Sequence, residues 1–235
     1  VSGRLAVQAR GESRLVSNPF STRATRVAAE RLFDTEGRPL AVEEIAGLIE
    51  VAGGGALVGP HGSGKSTRLA ALAAIFAAAG REVRSVRLDA GDRPAAAVLA
   101  CLRATAGAVV CIDGFDRLGP LLGEIVRWLT VRRRLLLVVT AHYGRPLLLR
   151  IECRTSRRQL AEIVRRLPGA GGPLGALDIH EAYDSAAGDL REALFDLYDR
   201  FEARMLRNQS AAGSTACDGN EDSAGGRSGI HDSPR

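Results

Sequence analysis

The chain has 235 residues, 46% of them hydrophobic, 25% charged and only 4% aromatic, with a formal net charge of +5. That composition is ordinary for one globular domain with appendages, or a domain with a small subdomain, and it forces a core of Ala, Leu, Val and Ile. No apolar run is long enough to cross a membrane, and the four cysteines form no C-x-x-C pair, which argues against a zinc site.

Residues 1–17 are polar and weakly periodic and are expected to be a flexible arm. Beyond them strands alternate with helices. "GALVG" (55–59) is a short apolar strand, and "KSTRLAALAAIFAAAG" (65–80) is a run of strong helix formers stopped by Gly80. "EVRSVRL" (82–88) carries polar residues on both faces and suits a sheet edge. Residues 93–104 read as a helix, "AVVCI" (108–112) as a buried parallel strand, and 119–131 as a helix. "LLLVVT" (135–140) and "LLLRIE" (147–152) are further strands. This alternation predicts an α/β fold with a parallel sheet between helices.

After residue 155 the pattern becomes helical: "SRRQLAEIVRRL" (156–167), a Gly/Pro break, then the amphipathic "GDLREALFDLYDRFEARML" (188–206). The expected organisation is an arm (1–17), a core (18–155), a helical lid (156–206) and a disordered Gly/Ser/Asp-rich tail (207–235). Cys101, Cys111 and Cys153 sit among apolar residues and read as reduced core side chains, which fits a cytoplasmic protein.

"GPHGSGKST", Gly59 to Thr67, matches G-x-x-x-x-G-K-[ST], the Walker A phosphate loop, between a strand and a helix as that motif requires. Gly59, Gly62 and Gly64 supply unusual backbone torsions, while Pro60, His61 and Ser63 complete a loop whose N–H groups turn toward phosphate oxygens. Lys65, the sole lysine of the chain, would reach the β- and γ-phosphates. Ser66 would offer its hydroxyl to Mg²⁺, and Thr67 continues the loop into the helix, whose N-terminus favours an anion. Asp113, at the end of a buried apolar strand, fits the Walker B acid that holds Mg²⁺ through water; the competing reading is a helix cap. With no second lysine an N-K-x-D guanine motif is impossible, so ATP is the expected nucleotide.

A strand between the two motifs is the arrangement of the additional-strand P-loop ATPases, and the chain resembles their AAA+ type. That resemblance implies a P-loop NTPase core of five parallel strands in the order 5-1-4-3-2. Most members of the class carry Asp-Glu where this chain has Asp113-Gly114. Asp116 is the nearest carboxylate that could orient water, against the equal alternative that it caps a helix near residue 117. Thr140 resembles sensor 1, and His142 resembles the switch histidine of ABC ATPases, although no L-S-G-G-Q signature is present. Gly188-Asp189-Leu190-Arg191 resembles the sensor 2 motif, whose arginine reports the γ-phosphate; the alternative is a capped helix with a solvated arginine. "NPFSTR" (18–23) is similar to the leading segment of ExeA/TniB-like ATPases, where Asn18 to Phe20 would help close the adenine pocket.

Arg132, Arg133, Arg134, Arg145 and Arg150 compete as a finger donated within an oligomer, against a solvated turn. Arg154, Arg157, Arg158, Arg165 and Arg166 are either a DNA-facing patch or a charged surface. The expectation is therefore a Mg-ATP-dependent switch with slow hydrolysis and an unidentified protein partner. Its rivals are a non-hydrolysing scaffold, a helper ATPase for DNA transactions, and a small-molecule kinase. The short connection at 141–150 leaves the kinase little room for a lid.

Overall fold

The computed structural model describes residues 18–20, 32–89, 95–142, 149–167 and 174–215. Helix α1 (Val42–Ala52) leads into strand β1 (Gly54–Val58), and α2 (Lys65–Ala78) into β2 (Val83–Arg87). Then come α3 (Ala95–Arg103), β3 (Val109–Asp113), a 3₁₀ turn (Phe115–Leu118), α4 (Gly119–Arg132), β4 (Leu136–Ala141) and β5 (Arg150–Glu152). Three helices close the described chain: α5 (Arg157–Arg165), α6 (Ala176–Ser185) and α7 (Leu190–Thr215).

The five strands are parallel and lie in the order β2-β3-β4-β1-β5. This is the expected order 5-1-4-3-2 read from the other edge, with the polar strand β2 at the rim as its sequence requires. The central strands read as unbroken apolar runs because each buries both faces. Val110 and Ile112 join Ala56, Val58, Leu137 and Val139 under α3 and α4. Val109 and Cys111 point the other way, with Leu57, Leu136 and Val138, against α1 and α2.

A third apolar cluster lies outside the sheet. Leu160 and Val164 of α5, Ala182 of α6 and Leu190, Ala193, Leu197 and Phe201 of α7 form it, together with Phe20 from the start of the described chain. Asn18 fastens that segment: its Nδ2 donates to the Tyr198 carbonyl at 3.2 Å and to Glu202 at 2.8 Å. The contacts of Asn18 and Phe20 are thus with α7.

Two helices escaped the periodicity reading. α1 was not foreseen ahead of the phosphate loop, and α6 lies in what read as the sequel of a Gly/Pro break. α6 starts because Asp178 reaches back to the Gly175 N–H at 2.8 Å, a cap formed without Ser or Thr. α7 runs to Thr215, past the Leu206 at which apolar periodicity stops.

The start of α5 is strapped to the segment before α1. Gln159 Nε2 donates to the Phe33 carbonyl at 2.8 Å, Ser156 Oγ donates to the Thr35 carbonyl, and Arg158 pairs with Glu36. Arg166 lies over the Phe33 ring, 4.6 Å from its centroid.

Candidate functional site

β1, β3 and β4 end side by side, and their carboxyl ends carry the phosphate loop, Asp113 and Thr140 into one place. Between β1 and α2 the loop turns on Gly62 (φ 64°) and Gly64 (φ 79°), torsions that side-chain-bearing residues avoid. Gly59 meets a different constraint: a Cβ there would stand 2.3 Å from the Cys153 carbonyl oxygen just after β5. Lys65 is buried, and its Nζ donates to the Gly59 carbonyl at 2.7 Å and to the Pro60 carbonyl. Burial lowers its pKa, opposed by the nearby Asp113, Asp116 and Asp189 carboxylates.

Asp113 is the hub. Its Oδ1 accepts the Ser66 hydroxyl at 3.0 Å and the Thr140 hydroxyl at 2.6 Å, and its Oδ2 takes Arg87 Nε at 3.2 Å. Thr140 Oγ1 in turn accepts the Gly114 N–H at 2.8 Å. Ser66, Asp113 and Thr140, each singled out in the sequence, meet here, joined by Arg87, which was not. The signal was in the sheet order: Arg87 is the register partner of Asp113 across the β2–β3 pair.

Gly114 has a steric reason. Its φ is 84°, and a Cβ would lie 2.8 Å from the Leu88 carbonyl oxygen. No glutamate fits at this position without a backbone shift. The left-handed turn launches the 3₁₀ segment that carries Asp116. Asp116 does not cap that segment: its Oδ2 accepts the backbone N–H of His142 and lies 3.4 Å from His142 Nδ1. His142 Nε2 is 3.3 Å from Nδ1 of His61 in the phosphate loop, with ring centroids 4.1 Å apart. Burial lowers the His142 pKa, helped by Lys65 and His61 and opposed by Asp116.

From the lid, Asp189 caps α7 through the N–H groups of Arg191 and Glu192 and lies against Gly62. The Arg191 side chain is exposed, and among the described residues no carboxylate pairs with it. Thr155 Oγ1 fixes the approach by donating to the Gly188 carbonyl at 2.8 Å.

No protein-family model matches the chain, and no curated protein matches it. Solved structures do match. One mutant of RuvB from Thermotoga maritima aligns with a TM-score of 0.56 at 16% identity, over 77% of this chain and 67% of that one. A second RuvB mutant from the same organism aligns at 0.54 and 17%, over 72% of this chain and 63% of that one. The structure described as the Thermotoga maritima RuvB Holliday junction branch migration motor aligns at 0.52 and 17%, over the same 72% and 63%. These likenesses, all at 17% identity or below, show a shared fold, the P-loop α/β core with its five-stranded parallel sheet. This chain thus spans less than two thirds of the length of two of these RuvB chains and is similar to them in architecture; the ExeA/TniB-like assignment gains no separate support.

Most of the remaining arginines have defined places in this fold. Arg133 donates to the Ala104 carbonyl at 3.0 Å, and Arg134 turns the chain into β4 with φ 55°. Both belong to the turn at the strand end remote from the phosphate loop. Arg150 lies 3.4 Å from Glu152; Arg145 falls outside the described residues. Each of the five lid arginines has a carboxylate partner: Arg154 with Glu152, Arg157 with Asp184, Arg158 with Glu36, and Arg165 and Arg166 with Glu162. Five arginines thus share four carboxylates, so this surface is ion-paired yet keeps a positive excess. Among the described residues no helix is long and apolar enough to cross a membrane.

Proposed function

We propose that the chain binds Mg-ATP at the phosphate loop and works as a nucleotide-driven switch with slow hydrolysis. The observation that carries this reading is the convergence of Ser66 and Thr140 hydroxyls on one oxygen of Asp113, beside the buried Lys65. Lys65 Nζ donates to the Gly59 and Pro60 loop carbonyls, contacts that a phosphate can replace. The loop amides, with the helix dipole of α2 behind them, favour the phosphates.

The Ser66 hydroxyl and Asp113 carboxylate are hard oxygen donors adjacent to that loop, which is the donor set Mg²⁺ prefers. When bound, the ion neutralises charge building on the transferred phosphoryl group. Thr140 holds Asp113 in place and shares its hydroxyl with the Gly114 N–H. Lys65 contributes positive charge where negative charge develops, and catalysis is chiefly electrostatic. The core and lid act as two units, with Asp189 at Gly62 as their meeting point and Arg191 as the lid's reporter of the γ-phosphate. The three buried thiols, free in the structure, agree with a cytoplasmic setting.

A second reading is a non-hydrolysing ATP-dependent scaffold, favoured by the steric exclusion of glutamate after Asp113. RuvB is described as a branch migration motor; a DNA-dependent role for this chain would need a basic surface beyond its paired lid arginines. One assay separates the readings. Mg-ATP binding and phosphate release are measured on wild type and Lys65→Ala, with and without DNA, over a range of protein concentrations. Binding lost with Lys65 supports the nucleotide site. Turnover distinguishes switch from scaffold, and stimulation by DNA or concentration would identify a DNA or oligomer dependence.

A further inference from the structure

Asp116, His142 and His61 form a chain of contacts from the turn after β3, through the end of β4, to the phosphate loop. Two of the three groups have no assigned chemistry if Asp116 alone orients water. Yet Asp116 Oδ2 is engaged by both the backbone N–H and Nδ1 of His142. A carboxylate beside Nδ1 holds the imidazole proton on that nitrogen and leaves the lone pair on Nε2. Nε2 is the nitrogen facing His61 at 3.3 Å.

Resting on the Mg-ATP reading above, we propose that His142 Nε2 is the base for the attacking water, that Asp116 positions it, and that His61 masks it until phosphate enters the loop. In the hydrolytic step the water oxygen forms its bond to the γ-phosphorus while the bond to the bridging oxygen of ADP breaks. The water proton passes to Nε2 and leaves with phosphate or to solvent. No other co-reactant is needed. A base must be neutral to act, and burial together with Lys65 and His61 disfavours the charged imidazole more than Asp116 favours it. His61 lies between Pro60 and Gly62, so phosphate in the loop gives it an anion to donate to and frees Nε2.

The test uses the full chain with ¹⁵N-labelled histidine and measured turnover. In the nucleotide-free protein His142 should show the Nδ1–H tautomer, and Asp116→Asn should abolish that preference. A non-hydrolysable ATP analogue with Mg²⁺ should shift the His142 Nε2 signal in wild type but not in His61→Ala. His142→Asn and His142→Gln should each lower kcat by about a hundredfold or more, with analogue affinity changed less than about threefold. Asp116→Asn combined with either should be no slower than the His142 variant alone. Retention of turnover within about threefold in both His142 variants, or multiplying losses in the double variants, overturns the dyad while leaving the ATPase reading intact. Mg-ATP binding without any wild-type turnover also overturns the base but leaves the switch or scaffold. Binding that survives Lys65→Ala overturns the nucleotide site itself.

Discussion

Asp189 of the lid and Gly62 of the phosphate loop are in contact so close that a Cβ on Gly62 would stand 1.8 Å from Asp189 Oδ1. The same oxygen accepts the N–H groups of Arg191 and Glu192, at 2.8 and 3.2 Å. One carboxylate therefore starts α7 and sets a negative charge on a loop built for anions. A phosphate bound in that loop, as proposed above, would meet the Asp189 carboxylate.

Replacing Asp189 should pull these two roles apart. Asp189→Ala should lower stability by about 1 kcal/mol through loss of the cap. It should also tighten ATP binding about fivefold, by removing on the order of 1 kcal/mol of like-charge repulsion. Thermal melts and a fluorescent-nucleotide titration measure the two effects; weaker binding would show that the carboxylate assists the phosphates.

Gly62→Ala should be damaging for a separate reason. The φ of 64° costs a side-chain-bearing residue about 1–2 kcal/mol, and the methyl would displace Asp189 from the loop. Stability should fall by about 1–2 kcal/mol, matching that strain. Asp189→Ala in the same chain should restore part of the loss, which a double-mutant urea titration would reveal.

Gly114→Glu would place a carboxylate directly after Asp113. It should not speed hydrolysis. At φ 84°, with the Leu88 carbonyl oxygen 2.8 Å from the new Cβ, the change should cost about 1–3 kcal/mol and move Asp116. A lower melting temperature without a gain in phosphate release is the expected result.

Asp113→Asn should separate metal from nucleotide. Ser66 and Thr140 lose their shared carboxylate, and the Mg²⁺-dependent part of ATP affinity should fall about ten- to a hundredfold, with Mg²⁺-free binding preserved. Titrations with Mg²⁺ and with a chelator make the comparison.

Acid should loosen the lid. Hydrogen bonds from Arg165, then Arg166, hold the Glu162 carboxyl at about 2, below its ordinary value of 4.5. A depressed folded-state pKa contributes stability that is full above the unfolded value and is lost as pH falls from about 4.5 toward 2. The stability difference between wild type and Glu162→Gln in urea melts should shrink across that window. Because these side chains face water, added salt should also reduce it.

The sheet and its loop were readable in the chain because their causes are local. Val109 to Ile112 is an unbroken apolar run since the strand buries both faces, and Lys65 stands alone among arginines at a phosphate loop. α1 and α6 were not readable by those means. α1 is seated by Ile49 against the sheet and α6 begins at a Gly175–Asp178 cap, so neither has a strong starting signal. In one dimension Arg154 to Arg166 read either as a patch or as a charged surface; the fold adds the partners Glu36 and Asp184 from elsewhere in the chain.

The sequence by itself determined that Gly59 to Thr67 is a phosphate loop, that Asp113 ends a central strand and that helices follow the core. Those features depend on torsion, periodicity and residue type over short spans. Only the tertiary structure decided what Asp116 and Asp189 do. Asp116 could have capped a turn or faced water, but the β3–β4 pairing brings it to His142. Asp189 could have been only a helix cap, but packing of the lid sets it on Gly62. In both cases a short polar side chain is satisfied equally well by several local partners, and the fold chooses among them by bringing distant backbone within its reach.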